Sequence, residues 1–240
     1  MALISDIHGN AIALQAVLRD IRQVGVDRTI CLGDTATLGP SPLDVLGTLR
    51  DLGIPCITGN HDAFLLDPEL LATYTQVPPV VAAVDWCRAV LPSWALEFVR
   101  GFAPGMDVSL DNAGSLQLFH GTPRSHMEDL LATTSAEKTE EMLGQRRATV
   151  MAGGHTHVQM LRQHRGTLLV NPGSVGAPFK EFVDHAPPTI MPYAEYATVD
   201  AERGGVQVTL RRVAVDKRAM FNAAAASSNP LGPMLAKQYA

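Results

Sequence analysis

The 240-residue chain has only three cysteines, Cys31, Cys56 and Cys87, with no C-x-x-C pair among them. That spacing excludes a disulfide framework and a cysteine-built zinc site, and it predicts thiols kept reduced in a cytoplasm. Cys31 and Cys56 lie in apolar, strand-like runs, where a buried inert thiol is expected. Nowhere is there the run of roughly 18 apolar residues that a membrane span needs. The first six residues hold no basic region ahead of an apolar one, so no signal peptide is expected either. Basic residues are in deficit, 19 Lys and Arg against 24 Asp and Glu, for a net charge of −5. Attraction to a nucleic-acid backbone or an anionic membrane is therefore disfavoured. Compositional bias and repeats are missing too: 46% hydrophobic and 18% charged residues, with 20 Gly and 16 Pro, are globular usage in a chain long enough to bury a sizeable core.

What is present begins with a βαβ rhythm. Residues 2–5 read as a short buried strand, and the helix after it starts at Asn10 and stops at Gly25, with Leu14, Val17, Leu18, Ile21 and Val24 at helical spacing. Residues 28–32 form a second predicted strand. Ser41 and Pro42 open a second helix whose inner face carries Val45, Leu46, Leu49 and Leu52, and residues 54–58 make a third strand. Such alternation predicts an α/β fold on a mainly parallel sheet. Residues 63–105 lose the rhythm and read as a helical insert broken by Pro78, Pro79 and Pro92. Trp86 and Trp94 are read as packing for that insert in preference to a stacking platform for a base. Strands return at 106–110 and 115–119, at 149–152, as a hairpin around Arg165-Gly166, and at 193–199 and 206–213, with a helix at 135–145. Residues 176–192 form a long loop. Residues 1–222 are expected to make one domain, and 223–240, rich in Ala, Ser and Pro, a poorly ordered tail.

Metal-competent residues stand just after predicted strands at five places: Asp6-Ile-His8, Gly33-Asp34, Gly59-Asn-His-Asp62, His120-Gly121 and Gly154-His-Thr-His157. Five of the eight histidines fall in them. In an open α/β sheet the carboxyl ends of strands share one edge, so residues distant in sequence meet there. Each piece alone has a bland alternative, a capping turn for Asp6-x-His8 or an αL turn residue for Asn60. Oxygen and imidazole donors without thiolates suit Mn, Fe, Zn or Ni, and Asp34 is able to bridge a pair of ions.

The five blocks, in this order over roughly residues 3–175, resemble the motifs of the calcineurin-like metallophosphoesterase superfamily, D-x-H, G-D, G-N-H-D/E, a lone H and G-H-x-H. Residues 32–40, 120–124 and 171–174 resemble its small single-domain bacterial and archaeal branch. The resemblance implies a two-sheet α/β sandwich flanked by helices and two divalent metal ions, Mn favoured. Asp6, His8 and His157 with bridging Asp34 would hold one metal, and Asp34, Asn60, His120 and His155 the other. Two such ions with two carboxylates leave the site near +2, attractive to phosphate in an acidic protein. Water bridging the metals would be acidified to a hydroxide that attacks phosphorus in line, and His61 resembles the histidine that protonates the leaving oxygen.

Asp62 is expected to orient the His61 ring or else to cap a turn. One departure matters: where the protein serine/threonine phosphatases continue G-D-x-V-D-R-G, this chain has Thr37 and Leu38. The missing acid and arginine argue against a protein phosphatase, leave Arg124 as the candidate phosphate clamp, and favour a diester over a dianionic monoester. Asn10 is a candidate substrate contact with an N-cap role as its alternative. Asn171 and Ser174 are expected to shape the site wall, and His126, His164 and His185 to be surface residues. The expected substrate is thus a small phosphoester; a catalytically silent metal-binding scaffold and a nuclease are the alternatives.

Overall fold

A computed structural model describes residues 1–183, 187–202 and 204–240. Its first half runs β1 (Ala2–Ile4), α1 (Ala11–Val24), β2 (Thr29–Cys31), α2 (Pro42–Asp51), then four helices in succession, α3 (Asn60–Leu66), α4 (Pro68–Tyr74), α5 (Pro78–Val90) and α6 (Ser93–Arg100). The second half is richer in strand: β3 (Met106–Ser109), β4 (Ser115–Leu118), α7 (Ala136–Leu143), β5 (Val150–Ala152), β6 (Met160–His164), β7 (Thr167–Asn171), β8 (Tyr193–Glu202) and β9 (Gly205–Ala214). Two helices, α8 (Lys217–Ala226) and α9 (Gly232–Tyr239), follow. Among the described residues no helix is long and apolar enough to cross a membrane.

The strands form two sheets, one ordered β2-β1-β8-β9 and the other β3-β4-β5-β7-β6. Both are mixed, because β1–β2, β4–β5 and β5–β7 pair in parallel while β1–β8, β8–β9, β3–β4 and β6–β7 pair antiparallel. The period-two alternation of a strand decides which side each residue faces. Leu3, Val150 and Ala152 point between the sheets into a core shared with Ile30, Leu116, Leu118 and Val170. Their neighbours Ala2 and Ile4 face outward onto Leu14, Val17 and Ile21 of α1, and Met151 faces Met142 and Leu143 of α7. The sandwich is thus two sheets with helices over the outer faces, as the motifs imply.

Three expectations need correcting. Residues 54–58 form no regular strand; Cys56 and Ile57 make isolated parallel bridges to Cys31 and Ala103. Pro55 lacks an N–H and supplies only its carbonyl, to Cys31 N, so a continuous ladder is not available. The segment after residue 222 is not a loose tail. Asp216 caps α8 through Ala219 N, and Leu231, Leu235 and Tyr239 recur at helical spacing to bury against Met220 and Ala83. Asn229 then clasps the turn after Asp34 by donating to Leu38 O and Gly39 O. His164 is buried, with Nε2 2.6 Å from Glu140 Oε1. His126 is half-buried, and His185 lies outside the described residues. Within the loop after Gly176, Phe179 bridges Ile190.

Trp86 donates to Ser228 Oγ and packs in the insert, as expected, while Trp94 is exposed and lies under the Arg50 guanidinium at 4.0 Å. One polar tie joins the helices to the first sheet: Tyr196 Oη donates to Asp20 Oδ2 at 2.6 Å and Arg211 Nε donates to the same oxygen at 3.0 Å. Burial raises the Asp20 carboxyl, but these hydrogen bonds outweigh it and hold the group below its ordinary 3.8. A carboxyl lowered in the folded state contributes stability above its unfolded value and loses it as pH falls through the folded one. Asp20→Asn should therefore cost about 1 kcal/mol at pH 7, allowing for partial exposure. In denaturant titrations the gap to wild type should close as the pH is taken below about 4.

Candidate metal centre

All five polar blocks arrive at one rim of the sandwich. Asp6 and His8 follow β1, Asp34 follows β2, His120 follows β4, and His155 and His157 follow β5; Asn60 and His61 open α3. Reaching this arrangement strains the backbone. Of the eight described non-glycine residues with positive φ, five are Asp6, His8, Asp34, His155 and His157, at 46° to 70°. Each costs on the order of 1–2 kcal/mol for an L-residue, a cost borne where surrounding contacts over-determine the turn. Those contacts are visible: His8 N donates to Asp34 O, His155 N to Asp6 Oδ2, Gly154 N to His120 O and Gly176 N to Asp6 O. Gly59 and Gly154 are needed for close approach, since a Cβ at either would collide with the Asp34 or Asp6 carboxylate.

The converging atoms form two groups able to hold a metal ion, Asp6 with His8 and His157, and Asp34 with His120 and His155. His8 Nε2 lies 3.0 Å from His157 Nε2, and His157 Nε2 lies 3.3 Å from Asp6 Oδ1. In the second group Asn60 Oδ1 stands 3.0 Å from both His120 Nε2 and His155 Nδ1. Asp34 Oδ2 sits between the groups, 3.7 Å from His8 Nε2 and 3.5 Å from His120 Nε2.

Proton placement tests whether cations fit. His120 Nδ1 is 2.7 Å from Leu32 O and His157 Nδ1 is 2.8 Å from Ala177 O. A carbonyl only accepts, so in each ring Nδ1 carries the hydrogen, and in the neutral form Nε2 turns its lone pair inward. Acceptor therefore meets acceptor across about three ångströms in a buried space, which a positive charge must reconcile. Burial works against a proton on His120, yet the Asp34 carboxylate pushes it up to about 10, and burial opposed by Asp6 leaves His157 raised as well. Burial and the neighbouring imidazoles hold His8 down to about 3, and burial with His120 does the same to His155. The carboxylates thus favour positive charge at these two rings, which is the charge that divalent cations would supply. The donor set, nitrogen and oxygen without sulfur, fits such ions.

The other expected residues divide. His61 is buried against His8 and Phe64, both ring centroids at 5.1 Å, with Nδ1 unpartnered, and burial holds its pKa below the usual imidazole value against the pull of Asp34. Asp62 does not orient that ring. Its carboxylate accepts from the backbone N–H of Asp34, Thr35 and Gly59 and from Thr35 Oγ1, at 2.7 to 3.0 Å, and so fixes the turn that presents Asp34. Arg124 is engaged by Glu128 and Glu141, which removes it as a phosphate clamp. Asn10 caps α1 through Ala13 N and donates to Gly176 O, leaving its amide committed to structure. Asn171 donates to Gly154 O and Ser174 Oγ to Asp6 O, so both shape the wall as expected.

Three neighbours of the centre escape sequence reasoning. Asp129 Oδ1 lies 3.4 Å from His155 Nε2. The Tyr74 ring stands 6.3 Å from His155 and 6.4 Å from His61, and Phe179 stacks on His157 at 4.3 Å. They come from loops and an insert with no motif spacing, so nothing in the chain order marks them.

A model of the calcineurin-like phosphoesterase superfamily domain matches residues 1–199. A Psychrobacter arcticus protein named "Probable cyclic nucleotide phosphodiesterase" is 25% identical over 207 residues, which span 73% of this chain and 71% of that protein. The crystal structure of a metallophosphoesterase from Sphaerobacter thermophilus shares the fold at a TM-score of 0.74 with 24% identity, over 99% of this chain and 98% of that one. A hypothetical protein from Pyrococcus horikoshii OT3 shares it at 0.81 with 19% identity, over 99% and 96% of the two chains. With the domain matched over most of its length, the chain belongs to the calcineurin-like phosphoesterase superfamily.

Proposed function

We propose that the protein hydrolyses a small phosphodiester with the help of two divalent cations, Mn²⁺ favoured, working in a cytoplasm where its three buried cysteines stay free. The observation that carries this reading is the inward convergence of lone pairs on two adjoining groups that share Asp34. Asp6, His8, Asp34 and His157 would hold one ion, and Asp34, Asn60, His120 and His155 the other. Bound there, the ions supply Lewis acidity to phosphoryl oxygens and acidify water at neutral pH. The chain itself does the rest. Leu32 O and Ala177 O keep two imidazoles turned inward, Asp62 holds the Asp34 turn, and His61 lies beside His8 where it can donate a proton to the departing oxygen.

The diester preference rests on Arg124. With its guanidinium engaged by two glutamates, it does not grip the extra negative charge of a monoester. The name of the Psychrobacter relative points the same way.

Chelator-stripped protein should be inactive and should regain turnover of bis(p-nitrophenyl) phosphate with Mn²⁺, Ni²⁺ or Fe²⁺; no recovery with any of them would refute the proposal. On the restored enzyme, kcat/KM for that diester should exceed the value for p-nitrophenyl phosphate by about tenfold or more, the scale of one missing charge-assisted hydrogen bond. His61→Ala should lower kcat by about 10²–10⁴-fold on a diester with an alkoxide leaving group. The loss should be far smaller when p-nitrophenolate departs, because that anion needs no proton. Equal losses on both would remove His61 as the acid.

A further inference from the structure

A metal-binding imidazole almost always donates from its outer nitrogen to a partner that fixes both the ring and the tautomer, although His8 Nδ1 has none among the described residues. His120 and His157 obtain theirs from backbone carbonyls, Leu32 O at 2.7 Å and Ala177 O at 2.8 Å. His155 is turned the other way. Its Nδ1 faces Asn60 Oδ1 at 3.0 Å, and its outer nitrogen, Nε2, stands 3.4 Å from Asp129 Oδ1. The His155 side chain is buried to 3% exposure, while Asp129, on the segment after His120, is 47% exposed. A carbonyl of the main chain is held by the fold; Asp129 is a replaceable side chain.

We propose that Asp129 is a positioning residue for the metal site formed by Asp34, Asn60, His120 and His155. Its carboxylate draws the ring hydrogen of His155 to Nε2 and so leaves the Nδ1 lone pair aimed at the metal position. Without it, the ring is free to place the hydrogen on Nδ1, where the neighbouring Asn60 oxygen accepts it and the site loses a ligand. The partner site, built on Asp6, His8 and His157, has its own orienting carbonyl and does not depend on Asp129. This inference rests on the two-metal reading above.

The test is a Mn²⁺ titration of the chelator-stripped full chain, with free Mn²⁺ read by electron paramagnetic resonance. Wild type should bind two equivalents; binding of none refutes the two-metal reading itself, before any variant is compared. In Asp129→Ala one equivalent should keep its wild-type affinity while the other weakens by about 10–100-fold. Asp129→Asn keeps an acceptor oxygen in place and should fall between the two. The melting temperature of the metal-free variants should match that of wild type. Two unchanged affinities in Asp129→Ala would overturn the proposal. So would an equal weakening of both with a lowered melting temperature, since that describes general damage to the fold.

Discussion

Seven acceptor-bearing side chains are turned toward one another in a space that water barely enters, and the rest of the molecule is arranged to keep them there. Left alone, carboxylates and imidazole lone pairs at these separations repel, and burial removes the solvent that would screen them. The apparatus opposing that repulsion is largely main chain. Five left-handed turns at candidate ligand positions, a mesh of backbone hydrogen bonds between the strand ends and glycines at the tightest approaches hold the geometry. Preorganisation of this kind leaves the candidate donor atoms already converged without rearrangement.

The two-sheet architecture explains how so short a set of strands does this. Because residues alternate faces, each central strand contributes one row to the inter-sheet core and the other to a helix-covered outer face, so the strands are clamped on both sides. Rigid strands then deliver their ends to a common rim. Asp62 shows the same economy at smaller scale: one buried carboxylate gathers N–H groups from Asp34, Thr35 and Gly59 and ties the second block to the third. A residue adjacent to a catalytic candidate thus turns out to work through the backbone of a metal-ligand candidate.

Much of this was legible in the chain. Apolar periodicity marked α1, α2 and the central strands, and the five polar blocks with their glycines marked the centre itself. Other features misled. Pro55 interrupts a run whose apolar content reads as strand, and low-complexity letters after residue 222 hide Leu231, Leu235 and Tyr239, which need the surface of α5 and α8 to become a helix face. Arg124 looked free because Glu128 and Glu141 carry no signal of partnership in sequence, and Asp62 looked catalytic because it stands next to His61.

The order and chemistry of the ligand blocks, the alternation of core residues and the superfamily to which they belong were determined by sequence, because each is a local property of residue type and spacing. Which atom of each ligand faces inward was decided only by tertiary structure. A histidine has two nitrogens and an asparagine two ends, and the choice depends on what stands behind them: Leu32 O behind His120 and Ala177 O behind His157, neither of which lies beside its partner in the chain. Linear order does not carry that information, since hydrogen bonding selects a tautomer by distance in space.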